Sequence, residues 1–330
     1  MSKLSLSIAI GNYDRMRPLV DGNVQIDGVD PVFMLHDPEE IFFRAFRHAD
    51  FDITELSMSS YTVKTANNDC PYIAVPVFPS RAFRHTSIYV RTDRGIETPA
   101  DLKGKRVGVP EYQLTANVWV RMILEEDYGV KPNDITWVRG GYEEPGRVEK
   151  INLKLTGGTQ VVNVPDGETI SHMLATGELD AVIGPRAPSC FTEGNPNVGY
   201  LFADPMAEAK AWYQRTGLFP IMHTLGIRKT LVAQHPWLPF SVFKAFEKSK
   251  QVALQHLTDT SATKVTLPFV EDQLRSARLL MGQDFWSYGF EQNRETLARF
   301  LAQHHKEGLS SRLVSPEELF HPASMESFKI

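Results

Sequence analysis

The sequence has little of several features that would define a function at once. It has two cysteines, Cys70 and Cys190, which are too few for a disulfide framework and lack the CxxC spacing of a zinc or redox site. Lys and Arg total 35 and Asp and Glu total 40, so the net charge is 35 − 40 = −5. That balance argues against a global electrostatic surface for nucleic acid or for an anionic membrane. No run of 18 or more apolar residues predicts a membrane span.

Common motifs of catalysis and nucleotide binding are missing as well. There is no GxGxxG after the first predicted strand, and no GxxxxGK[ST], HExxH or GxSxG. These absences argue against a nicotinamide site, a nucleoside triphosphatase site and a zinc protease site. Residues Met1–Arg15 alternate apolar residues with serine, which is unlike a secretory signal, so we expect a cytoplasmic protein.

The residues that are present alternate between strand and helix patterns. Leu4–Ile10 alternates as a strand should, and the strand at Arg106–Val109 leads into a helical pattern over Gln113–Tyr128. After Gly217 helices dominate, with Phe240–Leu257 and Glu291–His305 as the two longest. The length of 330 residues predicts about two domains, and the alternation predicts an α/β fold with mainly parallel sheets.

Polar segments follow the predicted strands, at the end of the sheet where α/β proteins bind ligands. These segments are Gly11–Arg15, Glu55–Ser60, Arg81–His85, Pro110–Thr115, Gly184–Pro188 and Pro220–His223. Ser57 and Gln113 fall at predicted helix N-termini, whose free N–H groups favour anions. Four arginines can each hold a carboxylate in a bidentate grip: Arg15, Arg81, Arg84 and Arg186. Together these features predict a small anionic ligand between two lobes.

Two stretches resemble the second lobe of a type II periplasmic-binding-protein fold, namely ADLKGKRVGVPEYQLTANVWVRMIL (Ala100–Leu124) and LATGELDAVIGP (Leu174–Pro185). A fuller set resembles the 4,5-dihydroxyphthalate decarboxylase family over most of residues 5–235. That set adds IGNYDRMRPLVDG, FDITELSMSSY, PSRAFRHTSIYV and LFPIMHTLGIR. The last hundred residues add little to the resemblance.

The resemblance implies a two-lobed α/β enzyme with extra C-terminal helices. We place the first lobe at residues 1–88 and 205–330 and the second at 89–204. The implied reaction is decarboxylation of 4,5-dihydroxyphthalate to 3,4-dihydroxybenzoate and carbon dioxide in an interlobe cleft, as part of phthalate degradation. We expect a small aromatic dicarboxylate as the substrate, no nucleic acid and no membrane as partners, and self-association through exposed apolar residues of the C-terminal helices.

Such a reaction needs a base for the phenol, an acid for the ring carbon and cations for the carboxylate that stays. We predict His85 and His223 as acid and base, without deciding which is which. Glu55 or Glu111 can orient a histidine or accept a hydroxyl proton. The predicted substrate-binding residues are Asn12, Tyr13, Arg15, Ser57, Arg81, Arg84, Gln113, Thr115 and Arg186. No organic cofactor is required, because the hydroxyl supplies electrons; a divalent metal held by His, Glu and catechol oxygens stays open.

Each of these residues also has a structural interpretation. His85 can be a hinge residue and His223 a satisfied core histidine, while Ser57 can be a helix cap. Arg15 and Arg84 can be solvated or paired with nearby acids. Two other functions stay open too: a solute-binding protein for an aromatic or sulfonate anion, and a different lyase or biosynthetic enzyme acting on another dihydroxyaromatic acid.

Overall fold

The computed structural model describes residues 3–147, 151, 155 and 158–325. The chain divides into two compact units. The first contains Met1–Arg81, Ile221–Ala298 and Val314–Ile330, and the second contains Ala82–Pro220 and Arg299–Leu313. Each unit has its own sheet and its own buried core.

Within the described residues there are eleven strands and eleven α-helices. The strands are β1 (Leu4–Ile10), β2 (Val29–Leu35), β3 (Ile53–Ser57), β4 (Tyr72–Val75), β5 (Ile88–Arg91), β6 (Arg106–Val109), β7 (Thr136–Arg139), β8 (Val161–Asn163), β9 (Ala181–Ile183), β10 (Val198–Tyr200) and β11 (His223–Arg228). The helices are α1 (Arg17–Val20), α2 (Pro38–His48), α3 (Met58–Ala66), α4 (Thr115–Tyr128), α5 (Ile170–Thr176), α6 (Ser189–Thr192), α7 (Pro205–Thr216), α8 (Lys229–Gln234), α9 (Leu238–His256), α10 (Val270–Met281) and α11 (Arg294–Lys306).

The sheet of the first unit has the strand order β2-β1-β3-β11-β4. β1 is parallel to β2 and β3, whereas β11 is antiparallel to both β3 and β4. Every residue of β3 is buried, because the strand lies in the middle of the sheet. Helix α2 follows β2 and buries Ile41, Phe42, Ala45 and Phe46, as its helical spacing predicts.

The second sheet has the order β10-β5-β9-β6-β7-β8, with β9, β6, β7 and β8 parallel. β5 is antiparallel to β9 and to β10. The prediction of mainly parallel sheets is therefore too simple, since both sheets are mixed. β5 and β11 each follow a point where the chain passes from one unit to the other, at 81/82 and at 220/221, and each is antiparallel to both of its neighbours.

The observed unit boundaries, at 81/82 and 220/221, differ from the predicted lobe boundaries at 88/89 and 204/205. Aromatic packing explains the difference, because the ring of Phe83 stacks on Phe219 at 4.7 Å and meets the ring of Trp212 edge-on at 6.3 Å. Residues 82–88 and helix α7 therefore belong to the second unit. The outer predicted bounds, residues 1 and 330, lie outside the described residues.

Part of the predicted C-terminal extension also belongs to the second unit, namely Arg299–Leu313. Its attachment is ionic and buried: Nε and Nη2 of Arg121, on α4, donate to Glu307 Oε2 at 2.8 and 2.6 Å. Both side chains are nearly inaccessible to solvent. Nη1 of Arg121 donates to the carbonyl of Tyr112 at 2.8 Å, so one guanidinium joins the helix, the C-terminal segment and the loop before α4. In α10, by contrast, Leu279 is 82% exposed; self-association through such residues stays a prediction.

We expect Glu307→Leu to lower the free energy of unfolding by about 3–5 kcal/mol, because it leaves the Arg121 charge buried and unpaired. Arg121→Met in the same chain should recover much of the loss. The matched control is Glu126→Ala, since Glu126 pairs with Arg299 between the same two helices but at the surface, and should cost about 1 kcal/mol or less. Urea denaturation measures all three. Equal losses for the two glutamate variants would contradict the ionic attachment.

Candidate active site

The first unit holds a buried carboxylate with three hydrogen-bond donors. Glu55 lies on β3 and is fully buried. Its Oε2 accepts from the backbone N–H of Gly11 at 2.9 Å, and its Oε1 accepts from the Tyr13 hydroxyl at 2.8 Å. The same Oε1 lies 2.5 Å from Nδ1 of His223, the first residue of β11. Glu55 thus joins the loop after β1 to the first residue of β11.

The sheet register explains why Glu55 and His223 meet. Leu225 lies opposite Glu55 in the antiparallel pair of β3 and β11, and His223 comes two residues before Leu225. Side chains two residues apart on a strand point to the same face, so the imidazole reaches the carboxylate diagonally. The ring of Phe42 packs edge-on against the imidazole at 4.7 Å and limits its rotation.

The surroundings of Glu55 favour its charged form. Burial alone would raise the pKa of Glu55, but the hydrogen bond and charge of His223 outweigh it, together with the Gly11 and Tyr13 donors, so the pKa lies below its usual value. Burial and the neighbouring Glu55 raise the pKa of Tyr13, which therefore keeps its proton and acts as a donor. Within the described residues, Nε2 of His223 makes no hydrogen bond. One imidazole nitrogen is thus fixed, while the other remains available for chemistry.

Arg15 lies beside this cluster. Its guanidinium carbon is 4.3 Å from the centroid of the Tyr13 ring and 4.4 Å from that of Trp286. Nε donates to the carbonyl of Pro79 at 2.6 Å and Nη1 to Asp14 at 3.1 Å. The cation is mostly buried and is held by aromatic rings, a carbonyl and one exposed carboxylate. It is therefore more than the solvated arginine of the structural interpretation.

The other predicted residues of the first unit lie in different settings. Arg81 is buried and donates to the carbonyl of Ser287 at 2.8 Å and to the Asn293 side chain. Asn12 is exposed and accepts from Arg17 at 3.5 Å. Ser57 is buried at the N-cap position of α3, with no side-chain capping hydrogen bond. The structure thus brings Glu55, His223, Tyr13 and Arg15 together, whereas Arg81 is bound within the protein.

The second unit holds a separate polar cluster around Glu111, which is fully buried. Nε and Nη2 of Arg147 donate to Glu111 Oε1 at 2.9 and 2.7 Å, and Gln113 Nε2 donates to Oε2 at 3.1 Å. Thr115 is also buried, as the first residue of α4. Glu111 thus forms an ion pair with Arg147, in addition to lying shortly before the N-terminus of α4. Sequence reasoning missed Arg147, because 36 residues separate it from Glu111 and no motif marks it.

His85, also in the second unit, has a very different environment from His223. It is only 2% exposed, with its ring 5.6 Å from Phe202 and 5.9 Å from Trp212. Burial lowers the pKa of His85 to about 4, so the imidazole is neutral near pH 7. Within the described residues its Nδ1 has no hydrogen-bond partner. Within the same part of the chain no carboxylate forms a hydrogen bond with it, in contrast to His223, although the charge of Asp127 counteracts part of the effect of burial.

The two arginines of the second unit that the sequence predicts as substrate-binding residues differ in exposure. Arg84 is half-buried, and desolvation lowers the pKa of its guanidinium to about 10. Arg186 is exposed and makes no ion pair with any described residue. Its carbonyl accepts from the Tyr142 hydroxyl at 2.7 Å, which fixes the backbone at this position.

Two features are absent from the described residues: a cluster of metal-binding side chains and a membrane-spanning helix. No group of three or more His, Cys, Asp or Glu side chains there is placed to hold a metal ion. None of the helices in that part of the chain combines the length and the apolar character of a membrane span.

Comparison with solved structures defines the class. The periplasmic sulfonate-binding protein SsuA from Methylobacillus flagellatus KT superposes with a TM-score of 0.55 at 13% identity, covering 98% of this chain and 93% of that one. A profile described as "ABC transporter, phosphonate, periplasmic substrate-binding protein" matches residues 25–146. These likenesses confirm the predicted type II periplasmic-binding-protein-like fold.

Sequence relatives are far closer. The 4,5-dihydroxyphthalate decarboxylase of Comamonas testosteroni is 74% identical over 330 residues, which is all of both chains. That of Pseudomonas putida is 74% identical over 214 residues, covering 65% of this chain and 83% of the relative. The chain belongs to the 4,5-dihydroxyphthalate decarboxylase family, as its motifs predict.

The Glu55 cluster generates a prediction about stability and pH. Because the pKa of Glu55 is lowered in the folded state, its stabilisation is fully present above the unfolded pKa, near 4.5, and is lost as pH falls through the folded value. We expect Glu55→Gln to be less stable than the wild type at pH 7, with a smaller difference below pH 4. Urea denaturation across this range measures it, and Glu271→Gln on the exposed face of α10 is the control. A difference that is independent of pH would contradict the assignment.

Proposed function

We propose that this chain decarboxylates 4,5-dihydroxyphthalate to 3,4-dihydroxybenzoate and carbon dioxide, in the degradation of phthalate. The observation that carries the proposal is 74% identity over all 330 residues to a 4,5-dihydroxyphthalate decarboxylase. The protein is a carboxy-lyase, and no observation favours a solute-binding function over this one. The cytoplasmic location and the oligomeric state stay predictions.

The chemistry needs a proton at one ring carbon. A hydroxyl para to the departing carboxylate gives electrons to the ring when it loses its proton, and the carbon that bears the carboxylate takes up a proton. The C–C bond to the carboxylate then breaks, carbon dioxide leaves, and its electron pair restores the aromatic ring. In total the substrate dianion consumes one proton and yields carbon dioxide and the 3,4-dihydroxybenzoate monoanion.

His223 is the residue best placed to carry a proton. Glu55 accepts from Nδ1 and stabilises the charged imidazolium, while Nε2 is the nitrogen from which a proton can move. Glu55 itself stays ionised and fixes the ring. We therefore infer the orienting role for Glu55, one of the two roles predicted for it.

Arg15 and Tyr13 supply the binding of charge. A guanidinium held over two rings presents its N–H groups in a fixed plane, which suits a carboxylate. The carboxylate that the product retains is the group that such a cation must hold through the whole reaction. Arg186, exposed and without an ion pair among the described residues, is a second candidate for this carboxylate.

His85 and Glu111 keep their predicted roles only as proposals. Burial keeps His85 neutral near pH 7, so it holds no proton to give to the ring carbon, and the same lowered pKa makes it a weak base; its role as the base for the phenol stays a prediction. Glu111 already has Arg147 and Gln113 as partners and fits a role in positioning. No organic cofactor is needed for this route, since the para hydroxyl supplies the electrons, and the need for a metal is decided by experiment.

The direct test incubates the purified protein with 4,5-dihydroxyphthalate, with and without a chelator, and measures carbon dioxide and 3,4-dihydroxybenzoate. We expect stoichiometric release of both. Activity that falls with the chelator and returns with a divalent metal would establish a metal requirement. Binding without turnover would support a solute-binding protein, and neither binding nor turnover would support a lyase with another substrate.

For the proton carrier, we expect His223→Ala to lower kcat by about a hundredfold or more, because it removes the group that transfers the proton. Glu55→Gln should lower kcat as well, since it removes the charge that orients and stabilises the imidazole. His48→Ala, an exposed histidine at the end of α2, is the matched control. A wild-type rate for folded His223→Ala would make this histidine structural.

For His85 the test separates chemistry from packing. We expect His85→Ala to lose most of its turnover, and His85→Phe, which fills the aromatic surroundings, to remain folded but equally slow. His172→Ala, exposed on α5, is the control. Wild-type turnover in His85→Phe would show that the residue packs against Phe202 and Trp212 and takes no part in the reaction.

A further inference from the structure

The segment that follows β4 fixes two side chains through neighbouring carbonyls. The indole Nε1 of Trp286 donates to the carbonyl of Phe78 at 3.0 Å. Nε of Arg15 donates to the next carbonyl, that of Pro79, at 2.6 Å. Trp286 comes from the loop after α10, about 270 residues away in sequence from Arg15, and these two carbonyls bring the side chains together.

These two hydrogen bonds place the indole of Trp286 against the guanidinium of Arg15. The Arg15 guanidinium carbon lies 4.4 Å from the centroid of the Trp286 ring, and Tyr13 offers a second ring at 4.3 Å. Contacts of this length between a guanidinium and an aromatic ring are attractive, and tryptophan gives the strongest ones. Nη1 meets only exposed Asp14, and in the described part of the chain Nη2 donates no hydrogen bond. The cation is therefore held by its faces and by Nε, with its outer N–H groups left for a ligand.

The same loop also binds Arg81, the other arginine of this unit that the sequence predicts as a substrate-binding residue. Arg81 donates to the carbonyl of Ser287, the residue after Trp286, and to Asn293. Asn293 in turn donates to the carbonyl of Gly289 at 2.8 Å, which closes the loop on itself. Residues 286–293 are thus held together by partly buried hydrogen bonds, and the indole is fixed by its own hydrogen bond to Phe78.

We propose that Trp286 is a positioning residue for substrate binding: it holds the Arg15 guanidinium in the orientation that receives the carboxylate retained by the product. The proposal rests on the proposed function for the identity of that carboxylate. An arginine already immobilised between rings loses little freedom when an anion binds, so affinity depends on the ring that immobilises it. Loss of the indole should therefore weaken binding while leaving the proton transfer by His223 nearly unchanged.

The test uses phthalate, which lacks the hydroxyls that the proposed reaction requires; we expect it to bind without reacting. We expect Trp286→Leu to raise the Kd for phthalate, measured by calorimetry, by about fivefold. With 4,5-dihydroxyphthalate it should raise KM by a similar factor and keep kcat within about twofold of the wild type. Trp237→Leu, a partly exposed tryptophan at the start of α9, is the matched control and should change neither value.

A second background separates positioning from general packing. In an Arg15→Met chain, Trp286→Leu should cause no further loss of phthalate affinity, because the cation that it positions is absent. An unchanged Kd in the single variant, or the same fivefold loss in the Arg15→Met background, would overturn the proposal. If Trp286→Leu does not fold, Trp286→Phe replaces it; its smaller increase in Kd, about twofold, should again vanish in the Arg15→Met background.

Phthalate binding is independent of turnover, so the two proposals can fail separately. A wild-type protein that releases no carbon dioxide but loses phthalate affinity with Trp286→Leu would refute the proposed function and retain the role of Trp286. Turnover with an unchanged phthalate Kd in the variant would do the reverse.

Discussion

A buried negative charge at Glu55 is the constraint on which the organisation of the first unit depends. A carboxylate without solvent is costly unless donors surround it, and here the donors come from three places in the chain: the backbone at Gly11, the Tyr13 hydroxyl and the His223 imidazole. The charge therefore fixes the loop after β1 against the middle of the sheet. It also sets the orientation of the imidazole, and through the Tyr13 ring it reaches the Arg15 guanidinium. One side chain thus links the loop after β1, the imidazole of His223 and the guanidinium of Arg15.

The two histidines show how far environment, more than residue type, decides chemistry. Both lie in polar segments of the sequence and both follow short loops rich in proline or arginine. Nδ1 of His223 is held by the Glu55 carboxylate, whereas His85 packs against the rings of Phe202 and Trp212, and burial lowers its pKa. The sequence alone does not distinguish the two imidazoles. Their packing does, because one ring is oriented by a carboxylate and the other is enclosed by aromatic rings.

Local patterns account for what could be predicted from the sequence. Alternation identifies β1, helical spacing identifies α2, and Gly129 and Gly177 end α4 and α5 with positive φ, as glycine after a helix suggests. The family motifs identify the fold, and the polar segments after the strands contain both Glu55 and His223. Contacts between distant residues were beyond reach, because no local pattern encodes them. Arg121 and Glu307 are 186 residues apart, Arg147 is 36 residues from Glu111, and the antiparallel entry of β5 and β11 follows from where the chain changes units.

The position of β11 has a consequence for how the protein matures on the ribosome. β11 is the only sheet neighbour of β4 among the described strands and lies between β4 and β3, yet it is translated after residues 82–220. While the second unit is synthesised, the first unit therefore consists of two incomplete parts, one with β1–β3 and one with β4, and each has an unpaired strand edge. Most of the second unit is continuous in sequence and can form its sheet in that interval. The sheet of the first unit is therefore completed only after the second unit has been synthesised.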